Sequence, residues 1–125
     1  MIQSFRDLTV WQRSIALAER IYVATESLPR SEIYGLTSQM RRASVSIPSN
    51  IAEGKAISGR GYLRHLRIAL GSEAELQTQI ELAVRLKLIN RIEADKLLSE
   101  TSEIGRMLSS LLKSLLARSR DDLTT

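Results

Sequence analysis

Apolar residues recur along this chain at spacings of three and four, the pattern of one buried helical face. Leu8, Trp11, Ile15, Ala18 and Tyr22 set the spacing and predict a first helix over residues 7–27, with Asp7 as a possible N-cap and Leu28-Pro29 as its stop. Ile33, Leu36, Met40, Ala43 and Ile47 carry it into a second helix that starts at Ser31 or Glu32 and reaches Lys55. The segment Ala56-Ile57-Ser58-Gly59-Arg60-Gly61 is the clearest turn, with Ser58 placed to cap the next helix. A third helix runs over residues 60–88 on Leu63, Leu66, Leu70, Ala74, Ile80 and Val84. Asn90 lies in the break before a fourth, which carries the cleanest heptad: Ala94, Leu97, Thr101, Ile104, Leu108, Leu111 and Leu115. Residues 119–125 are polar and are expected to fray. Four helices on short connections predict an all-α fold, an antiparallel up-down-up-down four-helix bundle.

The stretch SIPSNIAEG, residues 46–54, interrupts this regularity. Pro48 removes one amide donor and crowds the carbonyl of Ser44, which costs about 3 kcal/mol in a helix interior and predicts a bend in the second helix. Hydroxyls of Ser44, Ser46 and Ser49 are at hand for the freed backbone groups. Asn50 extends the row from Ile47 by three and is expected to point inward, where a polar residue fixes register or assembly. Gly54 lets a neighbouring backbone come close or starts the exit from the helix. Pro48, Asn50, Glu53 and Gly54 therefore read as an architectural motif. The fourth helix has a second apolar row, Leu98, Gly105, Leu112 and Leu116, wider than one bundle core needs, and this predicts a homo-oligomer.

At 125 residues the chain fits one domain, 1–125, with an ordered core over about residues 5–118. One Phe, one Trp and three Tyr within 43% hydrophobic residues favour aliphatic helix packing. Without cysteine there is no disulfide, thiolate metal site or cysteine nucleophile. One His and four Asp do not build a common zinc site or a histidine-dependent triad, so no metal and no cofactor are expected. Glu73 and Glu75 do not share a helix face, which leaves paired-carboxylate chemistry unsupported. No apolar window approaches the length of a membrane span and the start lacks an export signal, so the expectation is a soluble, cytoplasmic protein with no membrane partner.

Charge sharpens the functional reading. The net charge is +4, yet residues 30–72 alone hold seven basic residues against two acidic ones, a local balance of +5. Fourteen of the eighteen basic residues are Arg, whose planar fork suits phosphate and carboxylate. In RGYLRHLR, Arg60, Arg64 and Arg67 stack on one side of a helix about a quarter turn from Leu63, Leu66 and Leu70. Tyr62 offers a stacking surface there and His65 a further donor. These residues are candidate nucleic-acid contacts; the alternative is a solvated face whose arginines pair with acids of a neighbouring subunit. Arg41 and Arg42 point about 100° apart on a helix, so one is expected to pair with a carboxylate such as Glu73 or Glu75 while the other stays exposed. Arg6, Arg13 and Arg20 fall seven apart on the outer face of the first helix as solubilising charge, with Arg13 and Arg20 also carried as nucleic-acid candidates. Arg60 and His65 have the Arg-four-residues-His spacing of helical HEPN-type ribonucleases, a spacing common by chance, and Gly61 would hold the pair poorly.

Three segments carry a resemblance: FRDLTVWQRSIALAERIY (residues 5–22), QMRRASVSIPSNIAEG (39–54) and GSEAELQTQIELA (71–83). Together they resemble the bacterial four-helix-bundle proteins encoded in intervening sequences of 23S rRNA genes, to which the accessory variability determinant of diversity-generating retroelements is similar. The resemblance spans residues 5–116. It implies a bundle assembled as a homopentameric barrel and, for the retroelement relative, binding of nucleic acid and of a reverse transcriptase through the basic outer surface. The chain departs from the family at Ser58-Gly59-Arg60-Gly61, where a serine-lysine-glutamate style start is common. The function expected is a non-enzymatic homo-oligomer that binds nucleic acid, structured RNA or an RNA-protein complex, through exposed Arg rows, with DNA open as the ligand. The alternatives are a scaffold for an acidic partner such as a polymerase or reverse transcriptase and, more distantly, a HEPN-like ribonuclease using Arg60 and His65.

Overall fold

The computed structural model describes the backbone of residues 2–124 and the side chains of residues 2–119. Four helices, α1 (Thr9–Thr25), α2 (Leu36–Ile57), α3 (Gly59–Arg85) and α4 (Arg91–Thr124), succeed one another with short 3-10 turns at Phe5–Asp7 and Arg30–Glu32, and there is no strand among the described residues. Each helix touches its two neighbours, α1 with α2 and α4, α3 with α2 and α4. Cross-contacts fix the directions: Ser46 meets Ser72 and Asn50 meets His65 between α2 and α3, while Arg13 meets Glu103 and Arg20 meets Glu100 between α1 and α4. In each pair one number rises as the other falls, as in an up-down bundle.

The helix ends have identifiable causes. Ser4, not Asp7, is the first cap: its hydroxyl accepts from the Arg6 amide, and the Asp7 carboxylate accepts from the Gln3 and Ser4 amides, a capping box that starts the 3-10 turn and delays α1 to Thr9. Those two amide bonds lower the Asp7 pKa. Likewise α2 begins at Leu36 rather than near Ser31, because Gly35 breaks the helical backbone and the Glu32 carboxylate accepts from the Leu36 amide. Ile33, expected in the core, is consequently exposed. Asn90 caps α4, its side-chain oxygen accepting from the Glu93 amide at 2.8 Å. Helix α4 continues to Thr124, through the tail expected to fray; Thr125 lies outside the described residues.

The core matches the predicted rows of α2 and α4 and shifts that of α1. Leu36, Met40, Ala43 and Ile47 are buried, as are Ala94, Leu97, Thr101, Ile104 and Leu108. In α1 the buried set is Val10, Ser14, Leu17, Ala18, Ile21, Ala24 and Thr25, while Tyr22 is exposed. Ser14 and Thr25 hide in that row because each hydroxyl donates to the carbonyl four residues back, Val10 and Ile21. Trp11 is half-buried, packed edge-on against Phe5 with ring centroids 5.1 Å apart. In α3, Ala74 faces solvent instead of the core. The second row of α4 is partly covered within the chain: Gly105 is buried against Glu73, Leu98 and Leu112 are half-buried against the core, and Leu116 is half-buried outside it.

Candidate nucleic-acid interface

Helix α3 presents the basic face. Arg60, Arg64 and Arg67 are all exposed, and among the described residues none of them forms an ion pair. Their face continues along α3 as Gly71, Ala74 and Thr78, also exposed and uncharged, with the exposed Glu75 at its edge. Beside it, Arg42 of α2 is exposed and lines a polar groove of about 240 Å³ with Gln39, Ser46, Ser72 and Glu75.

The other candidate cations are engaged elsewhere. Arg13 pairs with Glu103 and Arg20 with Glu100, so the supposed outer row of α1 clasps α4. The Arg20–Glu100 pair lines an α1–α4 cleft of about 350 Å³ together with Val23 and Leu97. Arg41 pairs with no carboxylate among the described residues: it donates to the Thr25 hydroxyl and Tyr22 carbonyl and stacks 4.6 Å from the centre of the Tyr22 ring. Tyr62, expected as a stacking platform, is buried beneath Gly54, and that burial raises the pKa of its hydroxyl.

The SIPSNIAEG stretch builds the seam that positions this face. Helix α2 is continuous through Pro48. The inward row passes to Ile51 and Gly54, leaving Asn50 half-buried at the edge against α3. Asn50 donates through Nδ2 to the Ser46 carbonyl at 2.8 Å, and its Oδ1 lies 2.8 Å from His65 Nδ1. Ser46 Oγ is 2.7 Å from Ser72 Oγ, and Glu53 sits 3.5 Å from the His65 ring. The hydroxyls of Ser44 and Ser46 thus serve other partners than the Ser44 carbonyl freed by Pro48: Ser44 itself donates to Arg41 O, and Ser49 is exposed. At Gly54, an added Cβ would meet His65 Cβ at 2.9 Å, so only glycine allows this approach. The sequence signal for the seam was the seven-residue spacing of His65, Ser72 and Gln79, which places three polar side chains on the α2-facing edge of α3.

Ser58 does not cap α3 with its side chain; it holds φ 60° and ψ −173°, a region other residues leave to glycine. Arg60 and His65, five residues apart on one helix, point about 140° apart, and the ring is committed to Asn50. On the opposite face of α3, Glu73 is buried against Gly105 of α4 and accepts from Gln77; burial raises its pKa, and the Gln77 bond pulls it partly back. Exposed apolar side chains gather at the far end of the bundle from Arg60, at Val23, Ile33, Tyr34 (97% exposed), Leu82, Leu86 and Ile92. Among the described residues no three His, Asp or Glu side chains cluster as for a metal, and no helix is long and apolar enough to cross a membrane.

No curated protein matches the chain. Among solved structures it is similar to a protein of unknown function from the S23 ribosomal protein family of Bacteroides thetaiotaomicron, with a TM-score of 0.76 and 27% identity over 84% of this chain and 99% of that one. A family profile described as 23S rRNA-intervening sequence protein matches residues 6–110, which takes in all of α1, α2 and α3 and most of α4. The chain belongs to that family.

Proposed function

We propose that this protein is a non-enzymatic, homo-oligomeric bundle that binds nucleic acid through the outer face of α3, with Arg60, Arg64 and Arg67 on phosphates and Arg42 beside them. The observation that carries this reading is that three arginines share one exposed face without a carboxylate partner among the described residues, whereas Arg13 and Arg20 are held by glutamates of α4. Uncompensated arginine on a rigid helix suits phosphate, and repeating it around a ring of copies multiplies weak contacts. The homopentamer is the assembly that the resemblance implies. The exposed apolar end, including Tyr34 and Ile92, supports a protein contact, with another copy or with a nucleic-acid enzyme such as a reverse transcriptase. A bend of α2 at Pro48 belongs to the same reading. The His65 ring, bonded to Asn50, supports a binding role over ribonuclease chemistry.

Filter binding of a structured RNA at low salt tests this. Replacing Arg60, Arg64 and Arg67 by Glu is expected to abolish retention, and replacing Arg13 and Arg20 by Glu to weaken it far less. Equal losses in the two variants, or none in the first, would refute the α3 site. Cleavage of the RNA that His65→Ala removes would refute the non-enzymatic reading.

A further inference from the structure

A chemical constraint runs through the α2–α3 seam and ends on the only histidine in the chain. The Ser46 carbonyl can only accept a hydrogen bond, so the Asn50 atom 2.8 Å from it must be the amide nitrogen. A second contact, Asn50 Nδ2 to Ser46 Oγ at 3.1 Å, holds the same orientation. Asn50 Oδ1 is therefore the atom that faces His65 Nδ1, and since it too can only accept, Nδ1 must carry the proton. Glu53, a second acceptor 3.5 Å from Nδ1, reinforces that assignment.

Neutral His65 is thus fixed with its lone pair on Nε2. Among the described residues that nitrogen has no partner, and the one buried side-chain nitrogen or oxygen without a partner there is Gln79 Oε1, so Nε2 is not buried. The ring is only 14% exposed, which limits the approach to this edge. An open lone pair on the α2-facing edge of α3, at the border of the outer face that carries Arg60, Arg64 and Arg67, does not suit a phosphate, which is itself an acceptor. It suits a hydroxyl lying close to one. In nucleic acid the 2′-hydroxyl is the donor nearest the phosphate, and it is the group that separates RNA from DNA.

We infer that His65, held as the Nδ1–H tautomer by Asn50, accepts a hydrogen bond from a ribose 2′-hydroxyl at Nε2 and makes RNA the preferred ligand of the α3 face. The inference rests on the nucleic-acid reading above. His65 is the specificity-determining contact, and Asn50 is a positioning residue that acts through it.

The test pairs NMR with matched oligonucleotides at pH 8.5. Long-range ¹H–¹⁵N correlation on the single histidine should show a protonated Nδ1 and an unprotonated Nε2, the reverse of the tautomer that free histidine favours. Fluorescence anisotropy with an RNA stem-loop and its 2′-deoxy copy should give RNA a preference of about three- to ten-fold, the size of one neutral hydrogen bond. In His65→Phe and in Asn50→Leu that ratio should fall to about one, and Asn50→Leu should also lose the preference for a protonated Nδ1 in the ¹H–¹⁵N spectrum. A proton on Nε2, equal wild-type affinity for RNA and DNA, or a preference that survives His65→Phe would overturn the inference and leave the arginine site standing. Binding of neither oligonucleotide would overturn the arginine site itself, and this inference with it.

Discussion

A methyl group on Gly54 would have to enter space held by His65 Cβ at 2.9 Å and Tyr62 Cδ1 at 3.0 Å, neither of them the free end of a flexible side chain. Gly54→Ala is expected to destabilise the fold by about 1–3 kcal/mol, read as a lower urea midpoint with an unchanged slope. An unchanged midpoint would mean that the two helices part without cost. Ser58 offers the opposite case, since its φ of 60° and ψ of −173° strain any residue with a Cβ. Ser58→Gly should stabilise by about 1 kcal/mol, and a loss of stability in the same denaturation assay would contradict that account of the turn. At this scale Gly54 was legible in the sequence because glycine in a helix needs a reason. Ser14 and Thr25 were not, because a hydroxyl bonded to its own helix carries no outward mark of burial.

Among the elements, the existence and order of the four helices came from apolar spacing, which only packing against a common core can sustain. Boundaries and facing were less fully marked. The three-four spacing carries the first row through Tyr22, and correcting it to Val10, Ser14, Leu17 and Ile21 turns Arg13 and Arg20 from the outer face towards α4. Carboxylates on α4 that could receive them were present in the sequence, but nothing local says that α4 is the neighbour of α1. The α3–α4 seam carries a prediction of its own. Burial raises the pKa of Glu73, so its protonated form favours the fold, and that contribution is lost as pH rises from the unfolded pKa through the folded one. Glu73→Gln copies the neutral acid and should raise Tm above wild type at pH 7, with the gap closing by pH 4. Thermal scans in which the gap is the same at both pH values would contradict the desolvation account.

Across the whole molecule the two ends differ in chemistry. The start of α3 carries Arg60, Arg64 and Arg67, and the opposite end exposes Ile33, Tyr34, Leu86 and Ile92. One end suits a polyanion and the other a protein surface, a division that would let an oligomer assemble without covering its basic face. Family membership and fold were legible because SIPSNIAEG sets Ser46, Asn50 and Gly54 into the α2–α3 seam, a combination that an ordinary helix does not need. The candidate site was legible only as a cluster of arginines. Which of them stay free depends on carboxylates about 80 to 90 residues away in the chain, as Glu100 and Glu103 show for Arg20 and Arg13.

The central claim is that free arginines on α3 hold phosphates, and the salt dependence of RNA affinity measures this most directly. Each phosphate contact contributes about 0.7–0.9 to the slope of log affinity against log salt concentration. The account predicts that wild type shows a steep negative slope and that replacing Arg60, Arg64 and Arg67 by Ala flattens it by roughly two to three per binding protomer, one contact per arginine. A slope that is the same in wild type and the triple variant would contradict it.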